Sequence, residues 1–399
     1  MAAGSTLATV TANGAERADF RFDTTISRPV LEKVLSRAIT MEGFLHGRGD
    51  FDDNLRMLRD IGAKFIGRSV CLWAGESRFA ERMDLVRRQS PKVHAADPEI
   101  ILQACIFEIV TTEVESLTVP DWAFNALGLP VEQRKFRYAD MLYLDGRFRD
   151  HWRQGQSVPD ISRPETKLWF YVQGVSYLDA GCEAIHLGQT ELMNRNDRDL
   201  EHYDQVLTLL RAHATKKARR HLVLLDSHVP SGGLLRDGRL LMDFHSFPLR
   251  IMETPERPTE AILKLGFSDG LYRRSKGGRT FSGWTCDHLP YLVEIDNWGV
   301  SKQPGQAGAG SIWIWGYDEI SWFAHQDRAY RGRWLRYAHD WVRNTDTNAF
   351  LQMPGSRTLA GAVGDVRWYH ANRPSTATPT GFGDEDAIRD LWSAHPPGH

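Results

Sequence analysis

Acids recur at the ends of short apolar runs in this chain. In HLGQTELMN, Gln189 and Glu191 stand two residues apart, so an extended backbone turns both to one face. Glu294 and Asp296 share a face in YLVEIDNWG, and so do Asp226 and His228 in LLDSH. Asp318 and Glu319 close a further run, IWIWGYDE. An unpaired carboxylate is costly to bury, so acids repeated at such positions point to a site. Two carboxyl groups facing one another can cleave a glycosidic bond. One must be protonated to assist the leaving group, and the other ionised as nucleophile or base. Aromatic residues that stack on sugar faces are plentiful: the chain has 13 Trp, 11 Tyr and 18 Phe. Of these, Trp73, Trp298, Trp315 and Tyr317 stand at or just beyond the ends of apolar runs. Arg68, Gln189, His228 and Asn297 can hydrogen-bond to hydroxyl groups.

Other chemistries leave weaker traces. His186, Asp226, His228 and Glu191 come from neighbouring runs and could converge on zinc or manganese. No H-E-x-x-H is present, and neither a metal nor an organic cofactor is expected. The Gly-rich dinucleotide turn, the Walker pattern and the G-x-S-x-G elbow are all missing. The four Cys are widely spaced with no C-x-x-C pair; Cys71, Cys105 and Cys182 lie in apolar runs and read as packing thiols. Lys plus Arg is 49 and Asp plus Glu 51, a formal charge of −2. That balance offers no electrostatic footprint for nucleic acid or for an anionic membrane surface. The partner expected is a carbohydrate, and the oligomeric state is left open.

The elements that must position these residues alternate between strand and helix. Strand-like runs fall at 39–47, 64–73, 99–110, 182–191 and 221–230. Helical spacing separates them at 51–62, 77–89, 166–181 and 200–220. A long insertion, 111–163, follows the third strand. Beyond residue 230 the strand candidates are 250–255, 261–267, 291–298, 312–319 and 349–356, with a helix at 330–344. Ten candidates for eight places imply a (β/α)8 TIM barrel with one or two extra segments, and an active site at the carboxyl ends of the strands. Two Gly-rich stretches, RSKGGRTFSGW and SKQPGQAGAGS, read as late loops. His245, in MDFHSFPLR, reads as a structural histidine. Residues 1–20 read as a disordered or non-native lead, 21–371 as one barrel domain, and 372–399 as a C-terminal tail. No apolar run is long enough to span a membrane, and no signal peptide is evident. A cytoplasmic protein and a secreted one that has lost its leader both remain open.

A Glu ending the fourth strand and another about a hundred residues on resemble the retaining (β/α)8-barrel glycoside hydrolases of clan A. The resemblance implies that Glu191 is the acid/base and Glu294 the nucleophile. It further implies an oligo- or polysaccharide substrate and polysaccharide breakdown. The clan commonly places Asn directly before the acid/base; here Thr190 stands there. If 312–319 is the seventh strand, Asp318 or Glu319 takes the nucleophile's place; Asp296 and Asp226 are further candidates. The alternatives are a metal-dependent hydrolase or isomerase on the same barrel, and a glycan-binding barrel without catalysis.

Overall fold

The apolar runs lie side by side and parallel. In the computed structural model, which describes residues 19–249, 251–254, 257–265, 270–297 and 318–397, eight strands surround one axis. They are β1 (Ala38–Met41), β2 (Phe65–Val70), β3 (Ile101–Cys105), β4 (Ala184–Gln189), β5 (Leu224–His228), β6 (His245–Pro248), β7 (Tyr291–Glu294) and β8 (Ala349–Val363). Parallel hydrogen-bonded ladders run β6–β7–β8–β1–β2–β3–β4–β5. β5 packs against β6 and closes the ring. Spatial order therefore repeats chain order, and the fold is a (β/α)8 barrel.

Side-chain alternation divides the barrel into an inner and an outer face. The inner face carries Ala38, Phe65, Ile101, Ala184, Leu224, Phe244, Leu292 and Phe350, one from each strand or the residue just before it. These pack together in one apolar cluster. Leu31, Val34 and Leu35 of helix α1 (Arg28–Leu35) belong to the same cluster and plug the amino-terminal end. The intervening residues Ile39, Ile66, Leu102, Ile185, Leu225, Val293 and Leu351 face outward into the main core beneath the helices. His245 holds the corresponding outward position on β6. It is fully buried, and burial lowers its pKa to about 3, so it is neutral.

Helices α2 (Phe51–Ile61), α3 (Phe79–Ala96), α4 (Pro164–Asp179) and α5 (Glu201–Lys217) follow β1 to β4 in turn. Asp50 caps α2 by accepting from the Asp53 N–H at 2.8 Å, and Gly62 ends it in the left-handed region. The insertion after β3 lies over α4. Arg134 grips Glu165 at the start of α4 with two bonds of 2.7 and 2.8 Å, and Trp122 meets Tyr171 edge-on. This cover explains why α4 is apolar nearly all round.

The barrel departs from regularity after β5. Among the described residues no helix joins β5 to β6 or β6 to β7. The strand candidates at 250–255 and 261–267 are not among the eight: Met252–Thr254 pairs antiparallel with Arg257–Ile262 outside the ring. The sixth strand is instead His245–Pro248, which the sequence reading passed over because a His replaces the outward aliphatic. The β5–β6 seam has no ladder, and Asp243 substitutes for one. Its N–H donates to the Leu225 carbonyl at 2.8 Å, while its carboxylate accepts from the Leu225 N–H at 2.8 Å and from Arg211 at 2.9 Å.

Helices α6 (Glu319–His325) and α7 (Arg328–Thr345) precede β8, which folds back on β9 (Val366–His370) as a hairpin. Helix α8 (Glu385–Ala394) then packs on α2 and α7. No helix of the described residues is long and apolar enough to cross a membrane. Residues 1–18 of the expected lead and the loop 301–311 lie outside the described residues.

Phe65 is fully buried in the inner cluster and meets Phe244 edge-on at 5.5 Å. Phe65→Ala should cost about 3–5 kcal/mol in urea unfolding, the usual range for an aromatic removed from a packed core. A loss below about 1 kcal/mol would mean that this layer does not hold the barrel together.

Candidate active site

Two residues beyond each inner apolar side chain, the same face of the barrel turns polar. The eight positions are Thr40, Gly67, Gln103, His186, Asp226, Ser246, Glu294 and Gln352. A side chain at position 67 would run into the Gln352 amide and displace it. Its neighbour Arg68 takes up the left-handed conformation, φ 55°, where the β2–β3 register shifts, and supplies the polar group of β2.

One hydrogen-bonded chain joins all eight strands. Gln352 donates to Thr40 Oγ1 at 2.8 Å, and Thr40 donates to Glu294 Oε2 at 2.8 Å. Arg68 reaches Glu294 Oε1 through Nε at 2.8 Å and through Nη2 as well. The Arg68 backbone N–H donates to Gln103 Oε1 at 3.0 Å, and Gln103 Nε2 donates to Asp226 Oδ1 at 2.7 Å. Asp226 Oδ2 accepts from Ser246 at 2.6 Å and lies 2.7 Å from His186 Nδ1.

Glu294 is only 4% exposed. Burial by itself would push its carboxyl group up. The charges of Arg68 and Arg357, with the hydrogen bonds from Arg68 and Thr40, outweigh burial and hold it down at about 2. Arg357 is buried as well; it donates to Asp296 Oδ1 at 2.8 Å and lies 3.9 Å from Glu42. Two arginines against three carboxylates leave this cluster one negative charge.

An aromatic wall adjoins the cluster. The Arg68 guanidinium sits 5.5 Å over the Phe107 ring, and Trp73 packs on Phe107 at 5.3 Å and on Trp152 at 4.9 Å. Trp73 remains 40% exposed, a large apolar face at the mouth of the barrel. Phe107 and Trp152 come from the segment after β3, and neither is among the site residues expected from the sequence.

Other expected residues have different company. Glu191 follows β4 in the short helix Thr190–Met193, half-buried, and accepts from the Ser231 N–H at 3.2 Å. Gln189 is held by Glu108, whose carboxylate accepts its backbone N–H and its side-chain amide, each at 2.8 Å. His228 ends β5 with its ring 5.0 Å from Phe247. Asn297 lies beside Arg357 Nη2 at 3.3 Å. Asp226 is fully enclosed and serves the network.

Asp318 and Glu319 do not end a barrel strand, because β7 is Tyr291–Glu294. Asp318 caps α6, accepting from the Ser321 N–H at 2.7 Å and the Ala360 N–H at 3.1 Å, and Glu319 is the first residue of that helix. Burial pushes the Asp318 carboxyl up. Trp298, Trp315 and Tyr317 lie outside the described residues. His186, Asp226, His228 and Glu191 do not bring three metal-ligating atoms together. Thr40 and Ser246 were missed. The signal that could have found them is a repeated triplet of apolar, outward and polar residues, as in AIT, LLD, LVE and FLQ.

A recess of about 880 Å³ lies at the opposite end of the barrel. Its charges are spent on one another: Lys64 pairs with Asp97 at 2.7 Å and Glu99 at 2.8 Å, and Arg219 with Glu183 at 2.9 Å. Conserving the amino-terminal face of such a barrel serves stability, and chemistry belongs at the other end.

No protein-family model matches the chain, and no curated protein sequence matches it. Among solved structures it is similar to a native Bacteroidetes-affiliated GH5 cellulase linked with a polysaccharide utilization locus. Identity there is 11% and the TM-score 0.39, over 93% of this chain and 94% of that one. It is also similar to an isomalto-dextranase of Arthrobacter globiformis T6 complexed with panose. Identity is 10% and the TM-score 0.31, over 80% of this chain and 48% of that one. The barrel itself is established by the strand order.

Arg68→Met should destabilise the protein by about 3–5 kcal/mol, because it removes the direct ion-pair partner of the buried Glu294 charge. Arg68→Met combined with Glu294→Leu should recover part of that loss. Glu294 is held below its ordinary 4.5 in the folded protein. Its contribution to stability is therefore present above about 4.5 and lost as the pH falls toward about 2. Urea titrations at several pH values measure both effects. An additive double mutant would show that the pair is not coupled.

Proposed function

We propose that the chain is a glycoside hydrolase acting on an oligo- or polysaccharide with retention of configuration. Glu294 is its nucleophile and Glu191 its acid/base. The observation that carries this reading is a carboxylate buried at the end of β7 yet kept ionised by Arg68, Arg357 and Thr40. A nucleophile must be ionised at the working pH, and this one is. Three bonds occupy Glu294, and a carboxylate offers about four acceptor positions, so a lone pair is left for an anomeric carbon.

In the first step Glu294 attacks the anomeric carbon. The bond to the leaving oxygen breaks as that oxygen takes a proton from Glu191. In the second step Glu191 removes a proton from water, which displaces Glu294. The surplus negative charge of the cluster favours the positively charged, oxocarbenium-like transition state. β4 and β7 are three places apart in a ring of eight, so acids at their ends approach a substrate from different sides. The exposed ring of Trp73 is a stacking platform for a neighbouring sugar.

Screening a panel of oligo- and polysaccharides, followed by kinetics on an activated aryl glycoside, tests the reading. Glu294→Gln should lower kcat by about a thousandfold or more while the circular dichroism spectrum is unchanged. Glu191→Gln should abolish the alkaline limb of the pH–rate profile and spare substrates with good leaving groups. Trp73→Ala should raise KM more than it lowers kcat. Near-normal turnover in both Glu variants, or a first product of inverted configuration by NMR, would remove the assignment. Binding without turnover by the unaltered protein would favour a glycan-binding barrel.

A further inference from the structure

Two histidines and an aspartate meet in the outer helical layer, where α8 docks on α7. His339 and Asp340 are neighbours on α7, and His395 is the C-cap of α8. The two imidazole rings are 4.6 Å apart. His339 Nδ1 lies 3.1 Å from Asp340 Oδ1, and His395 Nε2 lies 3.7 Å from the same oxygen. One ligand atom from each of the three residues falls within 4.8 Å of the others, and all three residues are half-buried.

The tautomer of His395 gives this cluster its meaning. Its Nδ1 lies 2.9 Å from the Leu391 carbonyl oxygen. A carbonyl only accepts, so Nδ1 carries the proton. In the neutral ring Nε2 therefore turns a lone pair toward the Asp340 carboxylate. Two lone pairs facing one another repel unless a proton or a cation lies between them. An imidazole that donates one N–H to a backbone carbonyl and offers the other nitrogen is also how metal-binding histidines are oriented. Two other His–Asp contacts in the chain, His213 to Asp179 at 2.7 Å and His221 to Asp23 at 2.8 Å, are hydrogen bonds like the one between His339 and Asp340. Among the described residues neither gathers a third ligand.

We infer that His339, Asp340 and His395 bind a divalent transition-metal ion of the Zn²⁺ type, which staples α8 to α7. Two imidazoles and one carboxylate suit zinc, nickel or copper and not calcium or magnesium, which prefer oxygen alone. Three protein ligands leave one position for water. The end of α8 is already tied to the barrel by Arg37, which donates to the Trp392 carbonyl at 3.0 Å and the His395 carbonyl at 2.6 Å. A metal ion would add a second tie, on the other side of His395.

The test uses the full chain, stripped with chelator and titrated with zinc chloride in a calorimeter. Zinc content after dialysis is read by mass spectrometry. About one equivalent should bind, and zinc should slow amide exchange over residues 385–394. His395→Ala and Asp340→Asn should each weaken binding at least about tenfold, and His213→Ala should not. His339→Gln serves as a further ligand deletion if His395→Ala does not fold. The proposal fails if no saturable binding occurs up to about 100 times a micromolar Kd. It fails equally if the ligand variants bind as tightly as the unaltered chain, or if His213→Ala loses binding as they do.

Discussion

A charged carboxylate has been carried into the interior of a β-barrel, and the carboxyl end of that barrel is organised around keeping it there. Burial acting alone would push the Glu294 carboxyl up. Arg68 and Arg357 reverse that, and each must itself be buried to reach it. Three buried charges cannot be left with open donors and acceptors. Thr40, Gln103 and the Arg68 backbone take up part of the requirement, and Asp226, His186, Ser246 and Gln352 extend the network to every strand. Preorganised dipoles of this kind need not reorient when charge develops in a reaction.

The apolar half of the barrel makes this arrangement possible. The inner cluster from Ala38 to Phe350, plugged by α1, fills the amino-terminal end with aliphatic and aromatic side chains. It supplies rigidity without asking for hydrogen bonds, and the polar groups begin one inward step above it. The β5–β6 seam is the exception. There Asp243 and Arg211 replace a ladder, and among the described residues no helix joins β5 to β6 or β6 to β7. The weakest part of the ring is thus held by side-chain hydrogen bonds, and Ser246 to Asp226 links that seam to the network that holds Glu294.

Much of this was legible in the residues. Strong apolar runs at 64–73, 99–110 and 221–230, separated by amphipathic helices, announce a parallel sheet with crossovers, because period and burial are local properties. Glu294 and Arg68 were both visible at strand ends. The sixth strand was not, since His245 occupies its outward position and removes the aliphatic signal. The runs at 250–255 and 261–267 also read as strands, yet the strands formed there, Met252–Thr254 and Arg257–Ile262, pair with each other outside the ring. Composition reports that a segment prefers to be extended and says nothing about its partner.

What the chain determines by itself is therefore the class of fold, the alternation that turns acids inward, and the residue types available for chemistry. Tertiary structure decided how readily each of those acids ionises. Glu294 and Asp318 both follow apolar runs. One is held low by two arginines brought from β2 and β8, and the other is pushed up by burial as a helix cap. Position along the chain cannot separate them, because the field at a carboxylate comes from residues distant in the chain, Arg68 and Arg357 at Glu294. Closing the barrel is what brings those residues within hydrogen-bond distance.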